Sequence, residues 1–325
     1  NKAHSVSYAL LTWRTAYLKA HHPLEFFLTL LNNVTSIDTI REYLLDCQGL
    51  GIEILPPDVR YSEVDCSIEG DSLRVGLGSI KYLSSHVVKP IVLNRYSGLY
   101  GSFAQFRKGV SLPENVLETL VYAGACDGIE SRSDCLRALG IEPPGDLDLL
   151  RRERELVGIY LRSHPAQRFL PFVRHIQGES DSIVGEGDSV KFQRGQLCGK
   201  LDTPQGLVPF MMKSSQGRKF VEVGTLAAFL GTFAQWQFHV ESVFPLGPVL
   251  IILPHASQLK TIEAILQTSR GSTPVVFRLS QELLHVLSED FWVDPVSALT
   301  AKLGEAGIVY QWFDPWQERV SGKGF

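Results

Sequence analysis

The hydrophobic period changes once along this chain, near residue 183, and that change limits what it can fold into. Before it, one-face residues recur at spacings of three and four: Tyr8, Leu11, Thr15 and Leu18 first, then Val116, Leu117, Leu120 and Val121. That repeat belongs to helices with one preferred face. After it, VKFQRGQLCGKLDTPQGLVPFMMKSSQGRKFVEV breaks into short runs separated by TPQG and SSQG. Those are strands joined by hairpin turns. One period cannot serve both structures. The chain is therefore multidomain α+β, and its 325 residues suffice for two or three domains.

Punctuation refines this reading. Residues 7–20 form a helix that Pro23 stops, and LEFFLTLLNNV starts a second helix on that same proline. IREYLLDC lies in a third helix over 37–47, and GIEILPPDVRYSEVDCSIEG reads as a strand, a Pro-Pro turn and an extended stretch. Residues 73–127 make a small helical module around the glycine turn GLG. IEPPG is a linker, and RRERELVGIYL is a helix that ends before Pro165. From 248 to 313 the strands PVLIILP, PVVFRLS and FWV alternate with the helices SQLKTIEAILQTS and PVSALTAKLGEA, a small α/β unit. Tyr8, Trp13 and Tyr17 are expected in a core rather than stacked on a ligand.

Composition excludes several classes. The five cysteines have no CxxC spacing, so neither a disulfide framework nor a zinc site is expected, and the thiols are free and buried. His239, His255 and His285 have no metal-ligand spacing. No run of apolar residues is long enough for a membrane span, and with no secretory or transit segment a cytoplasmic protein is expected. The net charge is -4, so no basic footprint exists on average. Its distribution is uneven. The first 150 residues carry 13 Lys and Arg against 18 Asp and Glu, yet the first 22 hold three basic residues and no acidic one.

Five segments then carry more than pattern. They are NKAHSVSYALLTWRTAYLKAHHPLEFFLTLL, ILPPDVRYSEVDC, LRVGLGSIKYL, VLETLVYAGACD and RERELVGIYLRSHPAQRF. In this order they resemble the C-terminal portion of the bacterial replicative DNA polymerase III alpha subunit, from the end of the fingers onward. The resemblance covers residues 1–172, is faint over 183–223 and returns over 248–313. It implies the C-terminal part of the fingers over 1–60 and a helix-hairpin-helix and clamp-binding region over 61–172. A diverged OB-like domain over 173–235 and an α/β interaction domain over 236–325 follow. It also implies that the palm, with its paired carboxylates and Mg2+, lies on another chain, because the one Asp-x-Asp triplet here, Asp146-Leu147-Asp148, sits in the linker. The chain alone is expected to be inactive. A split subunit, a truncation and a non-catalytic DNA-binding or replisome-interaction relative all fit.

By the same resemblance Lys2 and His4 match residues near the nucleotide site, Arg14 stands where the family usually has glutamine, and Lys19 closes the helix. These would meet a deoxynucleoside triphosphate or template phosphates. Gly76 and Gly78 match the first glycines of the hairpin region, which offers backbone amides to duplex phosphates, with Lys81, Lys89, Arg95, Arg107 and Lys108 supplying charge. The family's later Gly-Val-Gly hairpin is replaced by Tyr82-Leu83-Ser84-Ser85. Asp146, Leu147, Leu149 and Leu150 would form an extended clamp-binding peptide. In the barrel Lys191, Arg194, Lys200, Lys213, Arg218 and Lys219 supply charge for a single strand, while Phe192, Phe210 and Phe220 either stack or fill the core. The implied partners are DNA, the palm-bearing chain, a sliding clamp and other replisome subunits, with no membrane.

Overall fold

The computed structural model describes residues 2–95, 100–173, 181–193, 195–213, 221, 225–247, 249–279, 284–287, 291–294 and 297–313. They form two compact units, Asn1–Ser163 and His164–Phe325.

The first unit begins with α1 (Lys2–His21), α2 (Pro23–Asn32) and α3 (Ile37–Gly49). Phe27 and Leu31 of α2 and Ile40, Leu44 and Cys47 of α3 are buried, the faces their spacing predicts. α1 buries no residue at all. Tyr8, Trp13 and Tyr17, expected in the core, are exposed instead, along with Val6, Leu10, Leu11 and Leu18. The reason is distribution: apolar side chains circle the helix, so no single side can dock and satisfy them. Its last turn is tied down by Lys19 Nζ, 2.8 Å from Asp46 Oδ2 and 5.2 Å from the Phe27 ring centre.

Three short strands follow: β1 (Ile54–Leu55), β2 (Ser67–Glu69) and β3 (Ser72–Arg74), ordered β1-β3-β2. Then come α4 (Ser85–Asn94), α5 (Phe103–Val110), α6 (Glu114–Tyr122), α7 (Arg132–Ala138) and α8 (Asp146–Val157). Ser102 and Ser131 cap α5 and α7, accepting from Gln105 N–H and Asp134 N–H. The segments expected at 1–60 and 61–172 share one hydrophobic core, which runs from Phe27 through Leu77, Phe106 and Leu120 to Ile159.

One buried charge cluster crosses this core. Arg132 lies 2.8 Å from Asp127 Oδ2 and 2.7 Å from Glu153 Oε2. Arg162 pairs with Asp127, and its own backbone N–H and that of Leu161 donate to Glu153 Oε1 at 3.4 and 2.9 Å. Glu153 is only 1% exposed. Gly124, at φ +78°, leaves the space that Arg132 fills, since a Cβ there would collide with the guanidinium.

In the second unit α9 (Leu170–Val173) precedes a closed barrel of β4 (Asp181–Gln193), β5 (Gln196–Thr203), β6 (Gly206–Lys213), β7 (Leu226–Ala234) and β8 (Gln237–Pro245). The order β4-β5-β6-β8-β7 closes because β4 is long: its first half pairs with β7 and its second with β5. TPQG makes the β5–β6 hairpin as predicted; SSQG lies outside the described residues. β8 lies wholly beyond the boundary expected at 235/236 yet belongs to the barrel, which it closes by pairing in parallel with β6 and antiparallel with β7. Leu197, Met212 and Val240 point inward.

A four-stranded sheet completes the unit. β9 (Val249–Leu253) and β11 (Val275–Arg278) are parallel, joined through α10 (Leu259–Gln267) and β10 (Arg270–Thr273). β12 (Leu284–Val286) and β13 (Val309–Phe313) flank them antiparallel, and α11 (Ser297–Glu305) precedes β13. FWV makes no strand of this sheet; Val293 only bridges to β10. No helix among the described residues is long and apolar enough to cross a membrane.

Two outcomes follow. Glu153→Gln leaves buried Arg132 and its neighbour Arg162 short of a counter-charge, and urea denaturation should show a loss of about 3–5 kcal/mol; a loss under about 1 kcal/mol would match an exposed pair instead. Burial pushes the Cys47 and Cys135 thiols up to about 12 and raises Cys66 and Cys126 as well, while Cys198 is partly exposed. Alkylation of the folded chain near pH 8 should therefore label Cys198 first, and the other four only on unfolding.

Candidate nucleic-acid interface

The Leu77–Ser79 turn, residues 80–84 and α4 form a first hairpin between helices. Leu77, Ile80, Leu83 and Val88 anchor it in the core. Lys81 N–H donates to the Leu156 carbonyl of α8 at 2.9 Å, and Leu83 N–H to the Ile80 carbonyl at 3.1 Å. Between them Tyr82 takes φ +70° and stands 74% exposed. Lys81 Nζ is 5.0 Å from the Tyr82 ring centre and 3.7 Å from Glu155 Oε1. The Tyr82 hydroxyl, chiefly, holds the Lys81 ammonium above its ordinary range. A cleft of about 420 Å³ opens beside it, with Asn32, Asp65, Ser79, Ser84 and Ser85 in its wall. Ser84 caps α4 with extended backbone and its hydroxyl makes no capping bond.

A second hairpin, Ser111-Leu112-Pro113, joins α5 to α6 and also turns on a left-handed residue, Ser111 at φ +47°. A cavity of about 500 Å³ lies against it, lined by Phe103, Arg107, Lys108 and Ala138 among others.

The structure sorts the sequence-predicted residues. Gly76 and Gly78 do not form a phosphate nest. Gly76 is extended at φ -72°, and the N–H groups of Leu77 and Gly78 donate to the Glu63 and Val64 carbonyls. These glycines exist for close approach: a Cβ at Gly76 would overlap the Asp65 backbone. Arg95 binds the Ser62 and Tyr61 carbonyls and Glu63, and Arg107 binds the Ala138 carbonyl and Glu114, so both hold the fold. Lys81, Lys89 and Lys108 remain at the surface.

Asp146, Leu147, Leu149 and Leu150 are not an extended linker. They open α8, where Leu150 is buried and Leu149 packs on the core. Asp146 and Asp148 lie two positions apart on that helix and do not face each other, so they are no paired carboxylates. Among the described residues no group of three His, Cys, Asp or Glu could hold a metal ion. On α1, Lys2 and His4 project about 160° apart around the axis. His4 stacks edge-on against Tyr8 at 4.5 Å, and Lys19 is engaged by Asp46. Lys2, His4, Arg14 and Lys19 therefore form no single cluster.

On the barrel, Lys191 and Lys213 both face outward, separated by β5 through the pairs Lys191–Cys198 and Gln196–Lys213. Arg194, Arg218, Lys219 and Phe220 lie outside the described residues. Phe210 is core, whereas Phe192 is exposed. Sequence reasoning missed Trp236, 71% exposed on the β7–β8 hairpin beside Gln235 at φ +59°. The signal was a tryptophan between two glutamines at a turn.

Three comparisons bear on this geometry. A family model described as a helix-hairpin-helix motif matches residues 51–135, which hold both hairpins. DNA polymerase III subunit alpha of Thermus aquaticus is 34% identical over 214 residues, covering 54% of this chain and 17% of that protein. The Aquifex aeolicus protein of the same name is 32% identical over 193 residues, 52% of this chain and 16% of that one. The chain thus spans under a fifth of the length of these relatives. A solved complex of TiaS with a transfer RNA and ATP aligns over 46% of this chain and 39% of its own at 11% identity and a TM-score of 0.19, too low to indicate a shared fold.

Gly76→Ala tests the packing role. The added methyl must push the Asp65 backbone away, and stability should fall by about 1–3 kcal/mol in thermal unfolding. An unchanged midpoint would return the glycine to a role outside the fold.

Proposed function

We propose that this chain, related over about half its length to the C-terminal region of DNA polymerase III subunit alpha, is the DNA-holding part of such a polymerase. The observation that carries the reading is the pair of fixed hairpins inside the helix-hairpin-helix match, each with lysine beside it. Helix-hairpin-helix elements grip phosphates through backbone and lysine without reading bases. In this reading the first unit holds duplex near Lys81, Lys89 and Lys108. The barrel acts as an OB-like fold, with Lys191, Lys213, Phe192 and Trp236 toward a single strand.

Lys2, His4 and Arg14 of α1 meet an incoming nucleotide only where another part of the polymerase encloses that helix. That part also supplies the palm carboxylates and Mg2+, for which the described residues here offer no ligand group. Docking of a sliding clamp on residues 146–150 is left out of this reading, because it requires α8 to unwind and Leu150 to leave the core. The sheet of β9, β11, β12 and β13 serves contacts with other replisome proteins.

A second reading, a non-catalytic DNA-binding relative, is favoured by one observation: both hairpins turn on a bulky or polar residue, Tyr82 and Ser111, where glycine carries no strain. One measurement tests both readings and a second separates them. Duplex affinity should fall steeply with salt, and Lys81→Ala should lower the salt slope by about 1; no duplex binding at low salt would sink both. Addition of a palm-bearing polymerase fragment should restore primer extension under the first reading and leave it absent under the second.

A further inference from the structure

Tyr82 is the feature of the first hairpin that phosphate binding does not explain. A bulky residue in the left-handed region is unusual, and it persists only where its surroundings fix it. They do so here. Buried Ile80 and Leu83 pin the chain on either side, and the Lys81 N–H bond to Leu156 fixes the intervening backbone to α8. The ring is thereby held out from a rigid point rather than carried on a mobile loop, and it stays 74% exposed. Glycine would adopt this turn without strain and let a DNA backbone come close. Tyrosine instead sets a planar ring in front of the hairpin.

The surroundings name the kind of ligand. The adjoining cleft sets the hydroxyls of Ser84 and Ser85 among the aliphatic side chains of Leu31, Val34, Ile37 and Ile40, a mixed wall that suits the polar sugar and the apolar base face of one nucleotide, while the Asn32 amide is taken up by the Cys66 backbone. Lys81 sits beside the ring, with Glu155, Asp38 and Asp65 as the nearby acids. An aromatic ring with a cation and hydroxyls next to it matches one nucleotide: base on ring, phosphate toward ammonium.

We propose that Tyr82 is a base-stacking residue, and that the first hairpin takes an unpaired nucleotide at the end of a duplex. This rests on the DNA-holding reading above and sharpens it. The hairpin then distinguishes a duplex end with an unpaired base from continuous duplex, which phosphate contacts alone do not.

The test uses the full chain and two probes: a blunt duplex, and the same duplex with a single unpaired 2-aminopurine nucleotide. One nucleotide is too short to occupy an OB-type barrel, whose sites span about 4 nucleotides or more. Wild type should bind the overhang about tenfold more tightly than the blunt end, and binding should change the 2-aminopurine fluorescence. Tyr82→Phe should keep both effects. Tyr82→Gly should lose the preference and the fluorescence change, leave blunt-duplex affinity within about twofold, and unfold at a higher temperature because the strain is gone. Equal loss on both probes, or wild-type preference in Tyr82→Gly, overturns the inference while leaving the DNA-holding reading in place. A wild-type chain that binds neither probe at low salt overturns that reading and this inference with it.

Discussion

The first unit depends on the ionic cluster of Arg132, Asp127, Glu153 and Arg162. Two cations balance two anions, and Arg132, Asp127 and Glu153 lie almost wholly out of water. Such a cluster contributes position more than stability, because desolvation offsets much of its attraction. What it positions is α8. Glu153 fixes the middle of that helix to α7 and to the turn at 161–162. One turn on, the Leu156 carbonyl receives Lys81 N–H. A chain of contacts thus runs from a buried carboxylate to the tip of an exposed hairpin. The rigid presentation of Tyr82 is a consequence of charge pairing that never touches a ligand.

That dependence also explains what was legible in the sequence and what was not. Helices with one apolar face were legible because burial follows period: Phe27 and Leu31, or Leu117, Leu120 and Val121, could pack only one way. The TPQG hairpin was legible from its turn chemistry. The closing strand β8 was not, since its partner β6 lies a hairpin away and parallel pairing leaves no local mark. DLDLL looked like a linker because two aspartates and a preceding Pro-Pro-Gly suggest loop. In the helix those aspartates occupy the first turn, where carboxylates favour the positive end of the helix dipole.

The glycines show a deeper ambiguity. Glycine relieves two different restraints, on φ and on the space a Cβ would fill, and sequence does not say which. Gly76 relieves the second. The first restraint is left unrelieved at Tyr82 and Ser111, the two hairpin turns. Matching glycines to glycines therefore pointed to the wrong backbone. The exposed left-handed residues at the hairpin tips are the ones where glycine is absent.

α1 carries the remaining argument. Val6, Tyr8, Leu10, Leu11, Trp13 and Tyr17 surround its axis, and one flat docking surface covers only part of such a girdle. A helix of this kind is satisfied when several elements enclose it. The polar candidates are dispersed the same way: the face that carries Lys2 is nearly opposite the face that carries His4. Enclosure would separate them further, leaving only the side turned toward an open site able to meet a triphosphate. Nucleotide contact by α1 therefore requires a surrounding protein that both buries the aromatics and chooses among the polar candidates. The hairpin requires nothing of the sort, because the core from Ile80 to Leu156 already fixes its geometry. The two candidate surfaces of this unit thus differ in kind: the hairpin geometry on which the proposed DNA holding rests is complete in the folded unit, whereas any proposed part in catalysis is completed by what encloses α1.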